Sequence, residues 1–285
     1  MINIGDILDN RYRITEFLGS GGMAEVYEAN DFIANRYVAI KILKPEFIND
    51  IEIVEAFKNE IKISSLMSHP NIVSVYNEGV FNKRPYIVIE YVKEQTLANK
   101  LDYLTRFSLD EAISIMEQLL DALQYTHEHK LIHRDVKPQN IFYFSNGTIK
   151  LGDFGIAKEE DKLSSSIVGS IHYLAPEVIS GRPYSIRSDV YAAGITFFEL
   201  ITGRLPFDVG KTIDIAHDQK FKQMPHPSKI IDSIPKEIDE IILKATAKNP
   251  INRYMSAFDF KKALENFKNG ISNKESLIKK IFKNI

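Results

Sequence analysis

The alternation of apolar and polar positions changes period near residue 95 of the 285-residue chain. Upstream, short runs carry the two-residue period of half-buried strands. They are Tyr12 to Phe17, which alternates in part, then Glu25 to Ala29, Tyr37 to Leu43, Ile72 to Tyr76 and Pro85 to Tyr91. Between the third and fourth, Ile53 to Met67 places Ile53, Phe57, Ile61 and Leu66 near helical spacing. Pro45 and Pro70 break regular structure on either side of it. This part is predicted to be a five-stranded antiparallel sheet with one helix.

Downstream the period lengthens to that of helices. Ser108 and Glu111 have capping-box spacing, and the apolar run that follows to His127 predicts a long buried helix. Arg187 to Ile201 is apolar nearly all round and closes at Gly203, as a helix at the centre of a lobe would. Pro235 to Ala247 and Ser256 to Phe267 read as amphipathic helices, and only Ile141 to Phe144 and Thr148 to Leu151 interrupt as strands. The Lys93-Glu94-Gln95 joint is too short for a flexible linker. The two parts are expected to share a tight cleft, the default place for an active site.

Composition narrows the class. Hydrophobic residues at 44% and charged residues at 26% suit a packed globular core. Thirty-six Lys and Arg against 38 Asp and Glu leave a net charge of −2, which excludes a globally basic nucleic-acid binder. With no Cys there are no disulfides, thiolate metal sites or Cys nucleophiles. No apolar run approaches the ~18–20 residues of a membrane span, and the polar start Met1 to Asp6 is no signal peptide. A soluble, intracellular protein is expected.

Four stretches carry chemistry. Gly19-Ser20-Gly21-Gly22-Met23-Ala24-Glu25-Val26 lies between the first two strands. Its glycines allow backbone N–H groups to approach phosphate oxygens, although an ordinary hairpin turn uses the same residues. Lys41, in Val38-Ala39-Ile40-Lys41, is costly to bury unless its ammonium meets an anion. Glu60 on the following helix is the obvious partner, and a snorkelling lysine on an edge strand is the alternative. His133-Arg134-Asp135-Val136-Lys137-Pro138-Gln139-Asn140 gathers a carboxylate, an ammonium and an amide in one loop. There Asp135 can accept a hydrogen bond from an incoming hydroxyl and Lys137 can neutralise a phosphoryl group. Asn140 offers a hard oxygen to Mg²⁺. Asp153-Phe154-Gly155 ends the last short strand, where Asp153 would supply a second oxygen.

In that order and spacing these stretches resemble the signature of a eukaryotic-like serine/threonine protein kinase of bacterial type. The resemblance covers roughly residues 10–268 and extends to Ala175-Pro176-Glu177, Asp189 and Arg253. It implies an α+β, bilobal protein kinase fold: a catalytic domain over 1–268, with N-lobe 1–92 and C-lobe 93–268, and a tail over 269–285. It implies that Glu177 pairs with Arg253. It also implies ATP as phosphoryl donor with Mg²⁺, or Mn²⁺ in its place. Lys41, fixed by Glu60, would hold the α- and β-phosphates, and Asn140 and Asp153 the metal. The turn Gly19, Ser20, Gly21, Gly22, Met23, Ala24 would cover the phosphates. Val26 and Ala39 would lie over the adenine, Phe142 beneath it and Leu18 at its outer edge. The Glu90 carbonyl and Val92 N–H would meet its edge, and Ile89 would control the space behind. Lys137-Pro138 and Ser170 match the serine/threonine branch rather than tyrosine kinases, so protein Ser and Thr hydroxyls are the expected acceptors.

Three positions depart from the family pattern. Ala24 replaces a glycine, Gln95 stands where a glycine commonly follows the hinge, and Ser64 replaces an apolar residue in an internal stack with Val75, His133 and Phe154. A small polar Ser64 packs less surface, so an isolated domain is expected to sit partly inactive until dimerisation or phosphorylation closes it. Ser164, Ser165 and Ser166, together with Ser170, are the candidate sites of trans-autophosphorylation, with Arg134 and Lys158 able to pair with phosphoserine. In the tail, Leu277, Ile278, Ile281, Phe282 and Ile285 share a helical face ringed by Lys274, Lys279, Lys280 and Lys283. Docking or disorder is preferred there to membrane association. Expected partners are protein substrates and a second copy of the chain, with no nucleic acid. The location is cytoplasmic, as a free domain or as the cytoplasmic part of a membrane-anchored kinase. A pseudokinase scaffold of the same fold would lack at least one of Lys41, Asp135, Asn140 and Asp153, and all are present.

Overall fold

The computed structural model describes residues 2–153 and 171–282, with side chains through residue 270. Phe154, Gly155, Lys158, Ser164, Ser165, Ser166 and Ser170 lie outside the described residues, as do the side chains of the tail.

The first lobe is an antiparallel sheet of six strands in the order β1-β2-β3-β4-β6-β5. These are β1 (Ile7–Leu8), β2 (Tyr12–Ser20), β3 (Ala24–Asp31), β4 (Arg36–Leu43), β5 (Val75–Phe81) and β6 (Arg84–Glu90). The sixth strand beyond the expected five is β1, whose two residues are too short to show alternation. The run Ile72 to Tyr76 is also corrected. The strand begins only at Val75, and Ile72 forms a parallel bridge with Leu151 of the other lobe. Gly79, which masks the strand pattern, is demanded by packing: a Cβ there would lie 2.5 Å from the Tyr86 ring. Asn82 and Lys83, at φ 49° and 65°, make the left-handed two-residue turn suited to the twist of a hairpin.

Both faces of this sheet are used. Val38, Ile40 and Ile42 of β4 join Leu8, Tyr12, Ile14, Tyr86 and Val88 in one apolar cluster. By strand alternation Ala39, Lys41 and Leu43 point the other way. There Leu43 meets Ala24, Ile87 and the helix residues Phe57 and Ile61. That helix is α1 (Ile51–Ser64), begun by Asp50, whose side chain accepts from the Ile53 N–H. It ends before Leu66, which is exposed rather than part of the apolar face.

The second lobe is mainly helical. It comprises α2 (Leu97–Leu104), α3 (Leu109–Glu128), α4 (Pro176–Ile179), α5 (Ile186–Thr202), α6 (Thr212–Phe221), α7 (Lys236–Ala245) and α8 (Ala257–Phe282). The capping box of Ser108 and Glu111 starts α3 as expected. Nearly all of α5 is buried, and it stops at Gly203 in the left-handed conformation, φ 71°. The helix expected to end at Phe267 continues as α8 to Phe282. The hairpin β7 (Ile141–Tyr143) and β8 (Ile149–Leu151) lies at the junction of the lobes. Both chain crossings attach to it. The Val73 N–H donates to Leu151 O at 2.9 Å, and the Tyr143 N–H donates to Gln95 O at 2.9 Å. No helix among the described residues is long and apolar enough to cross a membrane.

Candidate active site

One wall of the cleft comes from the sheet and α1. The β2–β3 turn is closed by the Gly21 N–H on Ala24 O at 2.8 Å, and a Cβ at Gly19 would meet nothing within 4 Å. Packing within the chain does not explain that glycine, whereas a ligand lying against the turn would. On the inward face of α1, Phe57, Glu60, Ile61 and Ser64 are buried at helical spacing. Glu60 Oε1 lies 2.8 Å from Lys41 Nζ, and Asp153 Oδ1 lies 3.6 Å from it. Burial pulls the Lys41 ammonium down, but the charges of Glu60 and Asp153 outweigh it and raise it above its ordinary value. Lys41 is therefore a fixed cation inside the cleft, not a snorkelling surface residue.

The opposite wall is the loop after α3. His133 accepts the Asp135 N–H at Nδ1 (3.3 Å), so Nε2 carries the proton donated to Gly152 O at 3.0 Å. Burial holds the imidazole below its ordinary value, consistent with a neutral ring. Arg134 is left-handed at φ 68°, a conformation costing ~1–2 kcal/mol for a residue with a Cβ. Asp189 of α5 secures it, accepting the His133 N–H at 2.8 Å and the Arg134 N–H at 2.9 Å. The loop then presents Asp135, whose Oδ2 lies 2.9 Å from Lys137 Nζ and accepts from Asn140 Nδ2 at 2.9 Å. The same nitrogen donates to Asp135 O, so the Asn140 amide oxygen is the atom turned elsewhere.

The two walls enclose a cavity of about 680 Å³. Leu18, the turn from Gly19 to Ala24, Val26, Ala39, Lys41, Ile89, Glu90, Val92, Asn140, Phe142 and Asp153 all line it, with Glu60, Asp135 and Lys137. Every residue expected to contact nucleotide or metal thus faces one space. Val73, Tyr91, Lys93 and Gly152 line it as well and were not anticipated. Gly152 alone left a signal, as the small residue before Asp153: a Cβ there would come within 3.1 Å of Phe142. The Glu90 carboxylate is occupied by Lys150 Nζ, at 2.6 and 2.7 Å, and the Glu90 N–H donates to Ser74 O at 2.8 Å.

Among the described residues no three His, Cys, Asp or Glu cluster as a metal cage. Asn140 and Asp153 offer hard oxygens beside the cavity, and the Asp153 side chain is 60% exposed at a left-handed φ of 49°. Such a sparse donor set fits Mg²⁺, which keeps waters and takes its remaining ligands from phosphate oxygens. Behind Lys41, Ser64 lines a hollow of about 40 Å³ with Val73, Val75, Ile87 and Ile89. Away from the cleft, Glu177 and Arg253 form the expected ion pair at 2.7 Å.

A lysine–carboxylate pair facing an Asp–Lys–Asn loop, across a cleft between a small sheet lobe and a helical lobe, defines a protein kinase domain. The chain belongs to that family, whose model, the protein kinase domain, matches residues 12–265. It is 42% identical over 260 residues to serine/threonine-protein kinase PrkC of Bacillus subtilis (strain 168), covering 90% of this chain and 40% of that protein. It is 41% identical over 259 residues to probable serine/threonine-protein kinase PknB of Lactococcus lactis, covering 89% and 41%. The chain therefore spans about two-fifths of the length of these relatives. Among solved structures, the PknI kinase domain of Mycobacterium tuberculosis matches with a TM-score of 0.75 at 27% identity, covering 93% of this chain and 98% of that one. The resemblance to bacterial serine/threonine kinases is borne out, and with it the bilobal fold and the general use of ATP and a divalent metal.

Proposed function

We propose that this chain transfers the γ-phosphoryl group of ATP to serine and threonine hydroxyls of proteins, with Mg²⁺, or Mn²⁺ in its place, as the metal. The observation that carries the reading is the placement of Lys41, Glu60 and Asp153 opposite Asp135, Lys137 and Asn140 around one cavity. Asp135 accepts a hydrogen bond from the substrate hydroxyl. It takes the proton as the new oxygen–phosphorus bond forms and the bond to the departing ADP breaks. Lys137, 2.9 Å from Asp135, neutralises the phosphoryl group in transit. Lys41 holds the phosphates that stay behind, while Glu60 keeps its ammonium in place. Asn140 and Asp153 would hold the cation, which would supply shielding of phosphate charge.

The same reading makes Ser164, Ser165, Ser166 and Ser170 acceptors for a second copy of the chain, in cytoplasmic signalling. Incubation with labelled ATP and a generic basic protein tests the assignment. Asp135→Asn should bind nucleotide yet lose turnover, whereas Lys41→Ala should weaken nucleotide positioning. Phosphorylation by Asp135→Asn at the parent rate overturns it.

A further inference from the structure

Arg84 is buried in the first lobe, only 4% exposed, although an arginine seldom leaves water without a partner. It opens β6 directly after the left-handed residues Asn82 and Lys83, so a tight hairpin fixes where it starts. Its guanidinium meets two groups. Nε donates to Leu43 O at the end of β4, and Nη2 donates to the Glu25 carboxylate at the start of β3. Because β4 lies between β3 and β6, this one side chain spans three strands.

The ion pair stands behind the glycine turn. Glu25 is in register with Ser20, and the turn from Gly21 to Ala24 closes on that pair. By strand alternation Glu25 shares a face with Tyr27, and Arg84 with Tyr86, both in the apolar cluster turned away from the cleft. Ala24 and Val26, on either side of Glu25, line the cavity, whereas Glu25 and Arg84 do not. Three glycines within positions 19–22 give the turn many conformations, and ordering them on binding costs affinity unless the turn is held beforehand. Its tip is moored by the Lys44 N–H on Met23 O at 2.8 Å and by Lys44 Nζ on Gly22 O at 3.0 Å. Its base is moored by the charge-assisted bond from Arg84 to Glu25. We infer that Arg84 is a positioning residue for ATP: through Glu25 it holds the glycine turn in place over the phosphates, from the face of the sheet that the ligand does not touch.

The inference rests on the reading in which that turn covers the phosphates, and the experiment separates the two. Arg84→Met, Glu25→Ala and the paired variant are compared with the parent chain for the Kd of ATP with Mg²⁺ and the Kd of adenosine. Adenosine has the same base and ribose but nothing for the turn to cover. Each single change is expected to weaken ATP about tenfold and adenosine by less than about twofold, and the paired change to weaken ATP no further than either one. An equal loss for ATP and adenosine overturns the inference, since general damage to the lobe would give it. So does an additive loss of about a hundredfold in the paired variant, or an ATP affinity that Glu25→Ala leaves at the parent value. Where Arg84→Met fails to fold, Glu25→Ala alone decides, by the same comparison of ATP with adenosine. A parent chain that binds ATP no more tightly than adenosine overturns instead the reading on which the inference rests.

Discussion

Arg253 and Glu177, 76 positions apart in the chain, meet in a two-pronged ion pair at 2.7 and 2.8 Å. Both side chains are sealed from water. The remaining guanidinium donors are used on Ala247 O, Arg187 O and Lys248 O, and Ser188 Oγ donates to Glu177. The pair therefore ties α4, the head of α5 and the turn before α8 to one another. Burial works against the Glu177 carboxylate, but Arg253 and Ser188 hold it below its usual range.

Removing one partner strands the other. Arg253→Met should lower stability by about 3–5 kcal/mol, since an uncompensated buried carboxylate remains. Paired Glu177→Gln, Arg253→Met should be less destabilised than the sum of the single changes. Urea unfolding of the four proteins checks this. Additive losses would show that the two charges are not coupled.

Glu199 gives a pH dependence. Burial outweighs the hydrogen bond from Tyr173 and raises its carboxyl from 4.5 to about 6. The folded state then binds this proton more tightly than the unfolded state. Stability contributed by the group therefore falls as pH rises from about 4.5 to 6, and levels off above that. Glu199→Gln still accepts from the Tyr173 hydroxyl but cannot ionise. Its unfolding free energy should gain on the parent across that window and stay ahead at pH 7. Parallel curves from pH 4 to 7 would remove Glu199 as the cause.

Ser64 is expected to set how firmly α1 is seated. The Lys41–Glu60 pair forms, yet the hollow of about 40 Å³ beside Ser64 leaves α1 underpacked there. Ser64→Val adds apolar surface at that point and should stabilise the domain by about 1 kcal/mol. Activity per molecule at high dilution should rise, and its dependence on concentration should flatten. An unchanged dilution profile in a more stable variant would detach Ser64 from regulation.

The chemistry was legible where it follows from local residue type. A lysine within an apolar strand needs an anion, and Glu60 provides one at 2.8 Å. Asp135, Lys137 and Asn140 lie close enough in the chain to share a loop wherever it goes. Long-range packing hid the rest. In β5, Asn77-Glu78-Gly79 breaks alternation because the Tyr86 ring fills the space above Gly79. In α6, apolar residues face both ways, with Ile215 inward and Ile213 and Phe221 exposed, so no amphipathic contrast marks the helix. Eight-residue α2 is amphipathic, but it spans barely two turns and buries only Leu97 fully. Val73, Tyr91 and Lys93 reach the cavity through topology, which residue type does not encode. The role of Asp189, 55 positions from the Arg134 N–H it accepts, is likewise a product of the fold.

The β7–β8 hairpin receives the chain at both of its crossings. Asn71 and Val73 are held on β8, with the Leu151 N–H on Asn71 O at 2.8 Å and Asn71 Nδ2 on Ile149 O at 2.9 Å, while Gln95 is held on β7. Two pins on one small piece of sheet define an axle. Asn140 stands just before that hairpin and Asp153 just after it. A swing of the lobes about that axle would move these two residues least, and Lys41 and the glycine turn most. On the proposed reading, cation and phosphate would be gripped by parts of one machine with unequal strokes, and opening the cleft would let go of the phosphates first.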